Sequence, residues 1–591
     1  MSSSLTRAIN DIKAICEKSE GRSRIFAYGS SGYKDSVRHF LESSSEVAQV
    51  AVCPGTAEDV SQIMKVLARR RVPFGIKGGG HATNPKFSST TGIQLYMSFF
   101  DKVKYRSSDK TLSVGSGCLW DQVYREILTQ KRYVIGGSAR EGVGVAGWLL
   151  GGGYSLYSNQ YGLGIDNIVE FEVVLPSGDI VRAKSTGRYS DLFEALKGGG
   201  NNFGIVTQFV LKTYRIQPPS SRLLNFCNAK SEKVKGAITN FINAEETQKA
   251  VLVAAFRYYN EIGKDQSLIT VLCVRDGSEN ILDPFREFES IPQQSRRETN
   301  RQNARNAPRL LKNAAGASSS GGSEDANGFS DVFVFNTDSE DAINELELDF
   351  FETDELFDSI YAPPLPIDQK DTDTAAITAS EVVLDYARTL TEPAPEAGMS
   401  GVGEIARGRF GCIMVSKYNQ NLINAIDKQA KESATNMKEN GGKRVVFEIW
   451  PAHSGIFDNS TPSAYPHKKG SPFGPMVVYC VWEGANNDHY WVNEMQRALH
   501  NLYHIALTEG CTNDRLPFYS NTSLDSTKVS EIYRENYGNL RRVRLKYDPQ
   551  DVMKHAGGFR IRLPRTRQSF GVAPKSSNPN VNGERSYVQY G

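Results

Sequence analysis

Long apolar runs are missing from this chain. No stretch of roughly 20 uninterrupted apolar residues occurs, so no membrane-spanning helix is expected. The opening MSSSLTRAINDIKAICEKSEGRSR lacks the apolar core of a secretory signal, and a cytoplasmic protein is expected. An excess of one charge is missing too: 69 Lys and Arg stand against 67 Asp and Glu. No domain-scale basic field is therefore offered to nucleic acid or anionic lipid. Cysteine pairs are absent. The eight cysteines (16, 53, 118, 227, 273, 412, 480 and 511) show no CxxC and no zinc-ligand spacing, which argues for reduced thiols and no metal centre. Two N-x-S/T sequons, at Asn459 and Asn521, carry little weight without a secretory signal.

What remains is ample material for cores. The chain has 591 residues, 39% hydrophobic and 10% aromatic, which suggests two or three domains. Residues 1–45 mix a helical pattern with YGSSGYKDS and read as a leader. AQVAVCP (48–54) is a strand stopped by Pro54. TAEDVSQIMKVLARRR (56–71) is a helix with Thr56 as N-cap. VPFGIK (72–77) is a second strand, and 92–117 alternates like a meander. FEVVLPSGDIVRA (171–183) carries a hairpin turn. The texture changes after the paired prolines of IQPPSS (216–221). Residues 217–513 alternate amphipathic helices with strands, the mark of an α+β domain with an antiparallel sheet covered by helices. Within it, 294–328 reads as a disordered insertion, and 565–591 as a disordered tail.

Three glycine-dense segments fall in the first domain, 46–216: KGGGHATNP (77–85), GGSAREGVGVAGWLLGGGYS (136–155) and KGGGNNFGIVT (197–207). Successive main-chain N–H groups in glycine turns form anion-binding nests. Several on one domain suggest an extended phosphorylated ligand, and a dinucleotide fits best. GVGVAG (142–147) has GxGxxG spacing, but its surroundings do not repeat βαβ, which argues against a nicotinamide-binding fold. His81 is the one reactive group in the first loop; it is either there for chemistry or merely caps the loop.

These segments, with VGSGCLWDQVY and YGNLRRVRLKYDPQDVM near the end, resemble the FAD-linked oxidases of the vanillyl-alcohol-oxidase/p-cresol-methylhydroxylase (PCMH) fold. Within them the chain is most similar to the fungal berberine-bridge-enzyme-like and 6-hydroxy-D-nicotine-oxidase-like branch. The resemblance implies a two-part FAD-binding domain of the PCMH type. Residues 46–216 would form its main part, and 514–564 would return to it.

The resemblance further implies that His81 is bonded to the flavin 8α carbon. A second, cysteine link known in many relatives has no thiol here; Ala139, Arg140 and Glu141 occupy the aligned positions. A single covalent link through His81 is expected. Arg140 either stabilises anionic reduced flavin or is a solvated surface residue. The backbone of Gly78, Gly79, Gly80, Ala82 and Thr83, with Gly142, Gly144 and Gly147, would cradle the pyrophosphate. Tyr161, Asp166, Ile168 and Val206 would flank the adenosine; Asp166 could instead cap a turn. The implied reaction moves a hydride from a carbon bearing an alcohol or amine to flavin N5, with dioxygen as acceptor. In FYSNTSLD (518–525) Asn521 is kept, but Thr522 replaces the usual tyrosine base. Tyr519 is the first substitute; alternatively it packs with Phe518. Tyr258, Tyr259, Trp450 and Tyr465 either line the pocket or lie in the core. His467 reads as a surface histidine. The expected partners are a small-molecule substrate and dioxygen, in a monomer or homodimer. A dehydrogenase using another acceptor and a silent flavin-binding protein are the alternatives.

Overall fold

VAVC (Val50–Cys53) buries all four side chains and forms the second strand of the chain. The structure, a computed structural model, describes residues 3–19, 23–137, 142–215, 220–244, 247–261, 264–276, 283–293 and 406–564. The expected insertion 294–328 and tail 565–591 lie outside the described residues. After Pro54 the helix Ala57–Arg70 starts where Thr56 accepts a 3.1 Å bond from the Asp59 N–H. Glu58 and Asp59 in its first turn, and Arg69 and Arg70 in its last, suit the helix dipole. Arg71 closes it in the left-handed conformation.

Residues 3–44 are more than a leader. The helix Ser3–Lys18 buries Ala8 and Ile12 in one core with Val60, Ile63 and Leu67. β1 (Arg24–Ala27) pairs antiparallel with β2 (Val50–Cys53). β3 (Phe74–Lys77) and β4 (Ile93–Tyr96) complete a four-stranded sheet in the order β1-β2-β4-β3, with β4 parallel to both neighbours. The expected meander over 92–117 is therefore split. β4 joins this sheet, while β5 (Val103–Arg106) and β6 (Thr111–Gly115) form a hairpin in the next. Ile93, Gln94 and Leu95 are all buried, so period alone could not distinguish a parallel from an antiparallel strand.

The second sheet adds β8 (Ile168–Val174), β9 (Ile180–Lys184) and β10 (Ile205–Lys212), in the antiparallel order β5-β6-β10-β8-β9. The hairpin expected at Pro-Ser-Gly-Asp is the β8–β9 turn. Two-residue strands β7 (Arg132–Tyr133) and β11 (Tyr214–Arg215) pair beside it.

The third sheet has six antiparallel strands: β12 (Ser220–Cys227), β13 (Ala250–Glu261), β14 (Lys264–Arg275), β15 (Arg407–Val415), β16 (Gly442–Ile449) and β17 (Gly474–Trp482). Their order is β12-β14-β13-β16-β17-β15. Alternation splits its two faces. Ala254, Phe256, Val445, Phe447, Met476 and Val478 share a core with the helices Ser231–Ala244, Gln420–Ala434 and Asp488–Thr508. Ala255, Val446, Phe410, Cys412, Val477 and Tyr479 instead join the core of the first domain. The chain then returns. Asn202 donates to Phe559 O at 2.9 Å and accepts from the Ile561 N–H at 3.0 Å. Buried Arg544 binds Asp551 at 2.6 Å and donates to Ile561 O. Helix-covered antiparallel sheet and two-part first domain together make the expected α+β fold.

His39 ties the first domain to its own N-terminal segment. Its Nδ1 meets Val37 O and its Nε2 the Ser88 hydroxyl, both at 2.8 Å. Burial, with Lys77 adding to it, pushes His39 down to about 4 from an ordinary 6.5. The unfolded chain thus binds a proton that the folded one refuses between these values. Stability is expected to fall as pH drops from about 6.5 to about 4. Denaturant midpoints across that window should show the slope, and His39→Asn should reduce it.

Candidate functional site

The loop leaving β3 is the centre of the site. Gly79 crosses Gly144 so closely that a Cβ on Gly79 would lie 2.6 Å from the Gly144 N and Cα. A Cβ on Gly144 would in turn lie 2.4 Å from Gly79 N. Only two glycines allow this backbone contact between the first and second loops. Gly80 adopts φ +79, the left-handed region that favours glycine. No main-chain N–H of Gly79, Gly80, His81, Ala82 or Thr83 donates to another described residue. Consecutive unsatisfied donors of this kind call for an anion or another acceptor.

His81 sits in the middle of these donors. Its ring stacks on Phe40 with centroids 4.1 Å apart and planes at 17°. Phe410 lies 6.5 Å away at 23°, and Tyr479 stacks on Phe410 at 4.5 Å. The residue is partly exposed, yet Nε2 is buried and has no hydrogen-bond partner among the described residues. Burial pushes the imidazole down to about 4 from 6.5, with a weak opposing bond to its own backbone. It is therefore neutral, with a nitrogen lone pair to offer, near neutral pH. Thr83 accepts the Phe410 N–H at 3.1 Å, and Asn84 donates to Ser523 O at 2.8 Å. The loop is thus clamped between β15 and the returning segment.

The glycines sort by what surrounds them. Gly137, Gly153 and Gly164 make room for the Trp148 indole, and Gly136 for Trp120 and Tyr124. Gly151 faces Asn521, and Gly198 faces Tyr465. At Gly147 a Cβ would meet nothing within 4 Å, and at Gly142, with φ +73, only a Leu119 methyl at 4.0 Å. Gly78 has Ser116 O at 3.0 Å. The positions fit to line a ligand are therefore Gly78–Thr83, Gly142, Gly144 and Gly147, a subset of the glycine-dense stretches. Arg140, with Ala139 and Glu141, lies outside the described residues.

The remaining expected residues divide. Ile168 and Val206 are buried in the first domain's core and can offer only shape and backbone. Tyr161 packs against Tyr214, centroids 4.2 Å apart, and Tyr133, 5.9 Å. Asp166 caps a turn. It accepts the Leu163 N–H at 2.9 Å, Thr461 N–H at 2.9 Å, Thr461 hydroxyl at 2.8 Å and His467 Nε2 at 2.8 Å. Four bonds use the acceptor capacity of a carboxylate. These bonds favour the turn cap over an adenosine contact by this side chain. His467 is corrected: its side chain is fully buried. Lys197 joins the group, donating to Thr461 Oγ1 and to Pro462 O at 3.0 Å. Burial pulls Lys197 down to about 8, and the Asp166 charge opposes that.

Tyr519 is 4% exposed, and its hydroxyl accepts from Asn521 Nδ2 at 2.9 Å and Tyr154 N at 3.3 Å. Burial pushes it up to about 12 despite those donors. It is protonated at neutral pH and packs on Tyr154, 4.9 Å away, and Tyr465, 6.3 Å. This suits an anchor better than a base. Asn521 also donates to Trp148 O at 3.1 Å, joining the returning segment to the second loop. Tyr465 is fully buried, and Trp450 donates to Glu448. Tyr258 packs against the helix-side core, and Tyr259 accepts from Arg257. Phe40, Phe410 and Tyr479 were not anticipated; only an aromatic stack about His81, invisible in one dimension, marks them.

Residues 48–184 match the sequence family described as FAD binding domain. An FAD-dependent monooxygenase of Penicillium terrestre is 42% identical over 171 residues, 28% of this chain and 32% of that protein. One of Aspergillus calidoustus is 33% identical over 242 residues, 40% of this chain and 46% of its own. The chain thus spans between about a third and a half of the length of these curated relatives. The fold is that of 6-hydroxy-D-nicotine oxidase from Arthrobacter nicotinovorans, with TM-score 0.62, 17% identity, and coverage of 92% of this chain and 98% of that one. A xylooligosaccharide oxidase from Myceliophthora thermophila superposes with TM-score 0.63 and 15% identity, covering 95% and 100%. Among the described residues no helix is long and apolar enough to cross a membrane.

Proposed function

We propose that this chain is an FAD-dependent oxidoreductase that takes a hydride from a carbon bearing an alcohol or amine of a small molecule. The observation that carries this reading is the His81 loop, with five consecutive main-chain N–H groups that bond no other described residue, around a neutral, partly exposed imidazole. A pyrophosphate would meet the main-chain donors, and a neutral imidazole can act as a nucleophile toward carbon. Gly78–Thr83, Gly142, Gly144 and Gly147 would hold FAD, which supplies the hydride acceptor when bound. His81 would tether it as the one covalent link, since none of the residues 138–141 is cysteine. Phe410 and Tyr479 offer aromatic faces on the sheet surface that adjoins His81. Tyr519 and Asn521 hold the returning segment against the second loop.

Dioxygen is the proposed electron acceptor, as the oxidase names of the structural neighbours suggest. The names of the curated relatives favour a second reading, insertion of an oxygen atom into the substrate. The test is turnover of a panel of sugars, alcohols and aromatic amines under labelled dioxygen. The expected result is bleaching of the flavin, one hydrogen peroxide per product and no label in the product. Labelled product would select the oxygenase reading. Bleaching without peroxide would select a dehydrogenase.

A further inference from the structure

We propose that Phe40 is the positioning residue for covalent attachment of flavin at His81. The inference rests on the His81 tether proposed above and adds a residue that lies outside the matched flavin-binding stretch, 48–184. In the attachment step His81 loses its ring N–H proton and gains a C–N bond to the 8α carbon, in place of one C–H bond of that carbon. Two protons and an electron pair are released. The pair passes by way of the flavin ring to dioxygen, which leaves as hydrogen peroxide.

For this bond to form, the nitrogen lone pair must point along the ring plane at the carbon. The imidazole plane is therefore the quantity to be controlled, and small errors of aim are costly. Phe40 controls it. Its ring lies flat on the imidazole at 4.1 Å and 17°, the nearest aromatic contact His81 makes among the described residues. Phe410 is near-parallel but 6.5 Å off, too distant to fix the plane alone. An apolar face also keeps water from the imidazole and so keeps it unprotonated.

Phe40 is itself fixed from both sides. Its N–H donates to Gly80 O at 2.9 Å, inside the loop that carries His81. Next to it, His39 is bonded through both ring nitrogens. Five residues back, the Lys77 ammonium donates to Asp35 O at 2.7 Å. Beyond it, the Glu42 N–H donates to Ala406 O at 3.0 Å, and the Ser43 hydroxyl donates to Gly408 O at 3.0 Å. A phenyl ring so held is a rigid back wall rather than a mobile surface group.

The test is the share of flavin that stays with acid-precipitated protein, read by absorbance, together with total FAD per chain. In Phe40→Ala total FAD should stay within about twofold while the acid-stable share falls at least about threefold, as misaimed nucleophiles do. Phe40→Leu, which keeps apolar bulk without a flat face, should fall likewise if Phe40→Ala does not fold. Phe40→Tyr should restore the wild-type share. Wild-type acid-stable flavin in the folded Ala or Leu variant overturns the proposal. A wild-type protein with no acid-stable flavin instead overturns the His81 tether, and this inference with it.

Discussion

His81→Ala is expected to move all of the flavin from the acid-precipitated pellet to the supernatant. The native protein should retain its yellow pellet. No second thiol stands at the aligned positions: none of 138–141 is cysteine. Cys118 is buried with its thiol against Phe100 O and Lys102 O, and burial pushes its pKa up to about 12. The variant should still bind FAD, because the donors of Gly79–Thr83 belong to the main chain and survive the substitution. Flavin content after gentle gel filtration checks this. Acid-stable colour in His81→Ala would assign the tether elsewhere. A colourless variant before acid would show that binding, too, depends on the imidazole.

The second large effect concerns stability. Asp166→Ala should destabilise the fold by about 3 kcal/mol or more, because it leaves several buried donors without an acceptor at about 1–3 kcal/mol each. Asp166 and His467 are both essentially without solvent contact, and they link the first domain to the 461–467 loop. Without the carboxylate, His467 Nε2, the Thr461 N–H and hydroxyl and the Leu163 N–H all lose their acceptor. The Lys197 ammonium loses its nearest compensating charge. The first denaturation transition should shift, measured with FAD saturating so that cofactor loss does not confuse it. His467→Ala alone should cost less, and the double variant should fall short of the sum, since the two share one network. Strict additivity would show that the pair is not coupled.

Much of the fold was legible because local rules were strong. Thr56 before an amphipathic run gave the helix Ala57–Arg70, and Pro-Ser-Gly-Asp gave the β8–β9 hairpin. The glycine loops were legible as a site because runs of glycine are costly without a reason. Their separate reasons were not. Gly153 and Gly164 look like Gly79 in sequence, but the first two yield to an indole and the third to another backbone. Asp166 stayed open for a related cause. The resemblance allowed an adenosine contact or a turn cap, while its main side-chain partners lie some 300 positions on, as the separation of 301 from His467 shows. Phe40 was missed because nothing in YKDSVRHF marks one aromatic as the partner of a histidine in another element.

That distance along the chain has a consequence for how the molecule is made. The wall behind His81 comes from residues 35–45, made well before the segments that close on it. Ser43 waits for Gly408 across 365 positions, and Asn84 for Ser523 across 439. Contacts of such high order form late in folding. The first domain can collapse early, as emerging domains generally do, but His81 gains these surroundings only when the returning segment 514–564 is in place. Under the proposed tether, flavin attachment would report that docking: a chain truncated before the returning segment would carry the histidine and the glycines and remain colourless after acid.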